Sequence, residues 1–229
     1  MKNILKASVW ADSILKGVVY DEEEKRYRIS KRNAILESTM DNDIKLENNC
    51  RFGLTTTKAC RLISTKINKE EKPNICLIEL GGNDCDYKWS EVSENPSGNH
   101  MPNTTIEEYK KSIGQMVDTL RENDIKPVIV SLPPIDPDRF VNWVSKGLNK
   151  DNIMQFLGNK TRIYTHHEAY NLALLEVAKE KNTDLIDVRK SFLLDKNYTR
   201  FLCSDGIHLN DEGQVVMKSC FESYLLNYK

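Results

Sequence analysis

The chain has 229 residues, 39% hydrophobic and 29% charged, which suits one globular domain over residues 1–229 with a substantial core. Its 33 Lys+Arg against 34 Asp+Glu leave a net charge of −1, so no broad field draws it to nucleic acid or to an anionic membrane. No apolar run approaches the roughly 20 residues needed to cross a bilayer, and Lys6 and Asp12 interrupt the N-terminal stretch before it could serve as a signal peptide, so a cytoplasmic location is expected.

Residues 4–10 are the first apolar run and predict a strand buried on both faces. The acidic run at 21–24, followed by Lys25 and Arg26, reads as a solvated turn. Further strands are predicted around 44–46 and at 75–80, 128–132 and 185–188. Between them, Ile106, Tyr109, Ile113, Met116, Val117 and Leu120 recur at helical spacing, and Thr105 with Glu108 forms a capping box at the start of that helix. Tyr170, Ala173, Leu174 and Val177 make a second stripe, and residues 215–226 a last one. Two long loops, 85–104 and 133–165, are predicted to be functional or lid-like, the second with short helices near 140–144 and 152–157. Strands alternating with helices predict a three-layer α/β/α fold around a roughly five-stranded parallel sheet, with ligands bound at the carboxyl ends of the strands. The six cysteines show no metal-ligand spacing and are expected to be free thiols; Cys85 and Cys203 lie close enough to the motifs below for one of them to enter a site.

Three short motifs meet the strand-end requirement or can return to it. Ser13 follows the first strand in Trp10-Ala11-Asp12-Ser13, and Asn83 follows the 75–80 strand in Gly81-Gly82-Asn83-Asp84. His208 lies in Asp205-Gly206-Ile207-His208, ahead of the final helix. Taken one at a time, each has an ordinary structural reading as a helix cap or a turn. Order and placement together resemble the SGNH (GDSL-type) hydrolase family over nearly the whole chain. Ala11-Asp12-Ser13 is similar to its Gly-Asp-Ser block, Gly53 to its glycine block, Gly82-Asn83-Asp84 to its Gly-x-Asn-Asp block, and Asp205 to His208 to its Asp-x-x-His block. The Ser97-Gly98-Asn99-His100 run is a coincidence of one loop and not the family's four dispersed residues.

The resemblance implies a flavodoxin-like SGNH hydrolase fold and a serine-dependent hydrolase of carboxylic esters. Ser13 would be the nucleophile, His208 its base and Asp205 the partner of His208, with Ser13, Gly53 and Asn83 supplying oxyanion donors. A serine hydroxyl attacks an ester only when a base of near-neutral pKa removes its proton, which is why His is the residue type required. The expected partner is a small-molecule ester, with O-acetylated carbohydrates among the candidates. A thioesterase or lysophospholipase, or a binding module that has lost turnover, stands as the alternative. Ala11 in place of the family's glycine predicts a slightly altered pocket. No cofactor is expected: P-loop, G-x-G-x-x-G and H-E-x-x-H patterns are all missing from the sequence, and His166-His167-Glu168 lacks a one-sided ligand spacing. Among the loop aromatics, Trp89, Phe140, Trp143 and Tyr164 are candidates either to wall a substrate pocket or to pack the loops, and Arg139 is read as a surface ion pair. Oligomeric state leaves no mark on the sequence.

Overall fold

A computed structural model describes residues 5–67 and 71–228. Five parallel strands form the central sheet: β1 (Lys6–Ala11), β4 (Lys45–Asn48), β5 (Ile75–Glu79), β6 (Lys126–Val130) and β7 (Asp184–Ile186). Their spatial order is β4-β1-β5-β6-β7, so the sheet strands run 2-1-3-4-5 in chain order, the flavodoxin-like arrangement. The first predicted strand begins at Ile4, which lies outside the described residues; each of the other predicted strands overlaps a strand of the sheet. Burial on both faces holds for β5 and for all of β1 beyond Lys6, but β4 and β7 are edge strands and remain partly solvated.

Alternate side chains of the sheet feed two cores. Trp10, Ile78 and Ile129 pack under α2 (Thr56–Lys66), α4 (Ile106–Glu122) and α7 (Thr161–Glu180). Val9, Leu77 and Val128 pack on the other face, under α1 (Ala34–Asp41), α8 (Val188–Leu193) and α9 (Asp211–Asn227). The capping box of α4 forms as the sequence predicts, with Thr105 Oγ1 and Glu108 serving each other's backbone. The two long loops carry α3 (Trp89–Glu94), α5 (Pro137–Val144) and α6 (Lys150–Leu157), and these short helices share a third apolar cluster of Trp89, Val92, Ile135, Val141 and Ile153. The loops therefore form a packed shelf over the carboxyl edge of the sheet.

Among the elements with no counterpart in the sequence reading, one lies beside Ser13. Immediately after Ser13 the chain forms an antiparallel hairpin, β2 (Val18–Asp21) and β3 (Arg26–Ile29), with Tyr20 opposite Tyr27. The acidic run is the exposed tip of this hairpin, where Asp21 Oδ1 accepts from the Glu23 and Glu24 amides.

Candidate functional site

Strand β1 ends at Ala11 and β5 at Glu79, neighbours in register across the switch point of the sheet. Chain segments leaving two adjacent strands in opposite senses open a crevice there, and the motifs meet in it. Ser13 lies two residues past β1 and is 7% exposed. Ala11 sits wholly buried, and its φ is not positive, so the strand accommodates the Cβ that replaces the family's glycine.

Residues 202–209 fold back as a narrow loop, pinned by a bridge between Leu202 and Leu209 and by Cys203 N–H donating to the His208 carbonyl at 2.8 Å. Gly206 turns at φ +77°, and a Cβ there would lie 2.7 Å from the Asp136 oxygen and the Phe140 nitrogen at the head of α5. Arg139, read from sequence as a surface ion pair, does pair with Asp136, but its guanidinium also donates to the carbonyls of Thr199, Leu202 and Cys203 and so clamps the loop. The result is that His208 and Asp205 are brought to Ser13. His208 Nε2 lies 2.9 Å from Ser13 Oγ, and His208 Nδ1 lies 2.6 Å from Asp205 Oδ2.

Asp205 is fully buried. Burial raises its pKa, but the His208 hydrogen bond and the Ile207 and His208 amides outweigh that and hold it below the usual carboxylate range. A fourth donor was missed from sequence: the Tyr27 hydroxyl of the hairpin reaches Asp205 Oδ2 at 3.0 Å, with its ring 5.1 Å from the imidazole. Phe52, beside Gly53, stacks nearly parallel to His208 at 6.3 Å.

Gly53 has φ +66°, a left-handed turn suited to glycine. Among the described residues, neither its N–H nor that of Ser13 donates to a protein acceptor. Asn83 is differently placed. Its amide nitrogen donates to Asp12 Oδ2 at 2.9 Å and to the Leu54 carbonyl at 3.3 Å, so serving a third oxygen means exchanging or sharing the longer bond. Asp12, buried and partnered by Asn83 and the Ile14 amide, has its pKa pushed up to about 6, chiefly by burial.

A pocket of about 90 Å³ opens beside Ser13 between the crevice and the loop shelf, walled by Leu132, Pro133, Ile135, Phe140 and Ile163. Trp89 and Phe140 line it, whereas Trp143 packs on Tyr20 of the hairpin and Tyr164 lies under Arg189. Cys85 also lines it, its thiol donating to the Gly82 carbonyl and its pKa raised by burial, so it is a neutral wall and not a nucleophile; Cys203 instead receives the Tyr20 amide. All six cysteines are free. Among the described residues no group of three or more His, Cys, Asp or Glu side chains could hold a metal ion, and no helix is long and apolar enough to cross a membrane.

Residues 12–216 match the model of the GDSL-like lipase/acylhydrolase family. The chain is 27% identical over 147 residues to the mouse (Mus musculus) protein "Isoamyl acetate-hydrolyzing esterase 1 homolog", a match covering 62% of this chain and 52% of that one. It therefore spans about half the length of the curated relatives it matches. Among solved structures, a lipase/acylhydrolase from Enterococcus faecalis superposes with TM-score 0.67 at 17% identity, covering 97% of this chain and 95% of that one. An acetyl-xylooligosaccharide esterase from Geobacillus Stearmophilus gives 0.66 at 16% identity with the same coverage. At these identities the likeness establishes the fold.

Proposed function

This chain belongs to the GDSL-like lipase/acylhydrolase family, and we propose that it is a serine-dependent hydrolase of carboxylic esters with Ser13, His208 and Asp205 as its reacting line. The observation that carries the reading is the unbroken hydrogen-bonded run from buried Asp205 through His208 to Ser13 Oγ, at 2.6 and 2.9 Å. Ser13 Oγ attacks the ester carbonyl as His208 Nε2 takes its proton, and Asp205 stabilises the imidazolium through Nδ1. The oxyanion that develops is met by the Ser13 and Gly53 N–H groups, which have no protein acceptor among the described residues, with Asn83 contributing once it shifts off Leu54. His208 returns the proton to the departing alcohol, then activates the water that releases the acid from Ser13.

Pocket size supports small acyl groups, O-acetylated carbohydrates included, over the long chains of a lysophospholipid. The mouse isoamyl acetate-hydrolyzing esterase 1 homolog and the Geobacillus acetyl-xylooligosaccharide esterase point the same way. A fluorophosphonate probe should label wild-type protein at Ser13 and leave Ser13→Ala unlabelled. The variant should lose on the order of 10⁴-fold or more in kcat on a small acyl ester while unfolding at an unchanged temperature. Wild-type turnover by folded Ser13→Ala would overturn the reading.

A further inference from the structure

Glu79 closes the carboxyl end of β5 at the floor of the pocket that holds Ser13, and it is 1% exposed. Among the described residues its carboxyl makes no hydrogen bond, and Oε2 is fully buried without a partner. His167, 6% exposed on α7, lines the same pocket, and its Nδ1 is likewise buried without a partner. Three other polar residues of the lining, Asp12, Asp86 and His166, are committed. Asp12 serves Asn83 and Ile14, Asp86 serves Tyr87 and the Trp89 indole, and His166 Nε2 is 3.0 Å from the Cys85 carbonyl.

A buried polar group left without a partner costs about 1–3 kcal/mol, so two of them at one pocket mark a place where a bound molecule completes the set. Burial disfavours the charged form of both groups. Burial and the nearby Asp12 hold the Glu79 carboxyl well above its ordinary value, and burial, then Arg189, pushes His167 down to about 3. A neutral carboxyl both donates and accepts, and so does a neutral imidazole. Their complement is an uncharged hydroxyl. Among the described residues no Lys or Arg lines the pocket to meet an anionic substituent, and the apolar walls of Leu132, Ile135, Phe140 and Ile163 disfavour a cation.

We propose that the pocket beside Ser13 selects short acyl groups bearing a hydroxyl, and that Glu79 and His167 are the residues that receive it. This deepens the proposed ester hydrolysis and rests on it. The chemical class is a short hydroxyacyl ester.

The test compares methyl butyrate, methyl 3-hydroxybutyrate and methyl 3-aminobutyrate by pH-stat titration. Wild-type kcat/KM should favour the hydroxy ester over the plain ester by about tenfold, the worth of one good hydrogen bond. Glu79→Leu should bring that ratio to about one or below, while Glu79→Gln, which keeps a neutral donor and acceptor, should retain most of it. Equal ratios in wild type and Glu79→Leu, the result if water alone completes these groups, would overturn the inference, as would a preference for the amino ester. Ligand-observed NMR of the same esters with Ser13→Ala protein reads the pocket without turnover. Tighter binding of the hydroxy ester supports the inference and equal binding overturns it. Turnover that survives in Ser13→Ala strikes instead at the proposed function.

Discussion

Asp205 Oδ2 serves two donors at once, His208 Nδ1 at 2.6 Å and the Tyr27 hydroxyl at 3.0 Å. A carboxylate oxygen held by two donors is fixed in place more firmly than one held by His208 alone, so on the proposed mechanism Tyr27 keeps Asp205 oriented toward the imidazole. Tyr27→Phe keeps the ring against His208 and removes only the hydroxyl. Asp205 Oδ2 then loses one of the two donors that hold it in line with His208. The loss of orientation should lower kcat by about three- to tenfold. A Tyr27 that only packs would leave kcat on a small acyl ester unchanged, and steady-state kinetics of the two folded proteins decide the matter. This residue was invisible in the sequence because it meets Asp205 across 178 positions, and an exposed hairpin tyrosine carries no motif. Ser13, His208, Asp205, Asn83 and Gly53 were legible because each lies in a short block whose order resembles a known family; the engagement of Asn83 by Leu54 was not, since a carbonyl's direction leaves no trace in residue type.

At the scale of elements, the aspartate of Gly82-Asn83-Asp84 has a structural task distinct from that of its neighbour. Helix α2 begins at Thr56, and its N-cap residue, Thr55, makes no side-chain capping bond. Asp84, fully buried past the end of β5, takes that place: its carboxylate accepts from the Thr56 amide at 3.0 and 3.1 Å and from Thr56 Oγ1 at 2.6 Å. The same bond ties the loop carrying Asn83 to the loop carrying Gly53. Asp84→Ala should therefore cost on the order of 2–3 kcal/mol in urea unfolding and loosen amide protection in the first turn of α2, an effect absent if the helix caps itself. Element existence followed how strongly burial patterned the sequence. The strands of the sheet and the α4 stripe have apolar runs or a 3.6-residue period because they face a core. β3 is exposed at all four positions and so offers no buried face to read, and α2 buries only Thr56, Ala59 and Ile63, too sparse a stripe to register.

Across the whole molecule, buried ionisable groups pull stability in opposite directions with pH. Below its ordinary value near 6.5 the unfolded chain protonates His167 while the folded protein resists until about 3, so this residue costs stability as pH falls through that window. Asp205, held low, likewise contributes stability that is lost in acid. Asp86 acts the other way. Burial, opposed by the Trp89 indole and the Tyr87 amide, lifts it from 3.8 to about 6, so between those values the folded protein keeps a proton that the unfolded chain has released. Its contribution is greatest below about pH 4, falls as pH rises to about 6, and stays low above that. Asp12, also raised to about 6, runs in parallel, which is why a wild-type profile alone would hide any one of these groups. Asp86→Asn isolates the effect, because its side-chain oxygen still accepts from the Trp89 Nε1–H at the 2.8 Å site while carrying no charge at any pH. Relative to wild type, the variant should gain on the order of 2 kcal/mol between pH 4 and pH 7. Urea unfolding of both proteins at the two pH values measures the double difference directly. A difference of zero would mean that Asp86 titrates alike in the folded and unfolded chains, and that the loop shelf leaves it open to water.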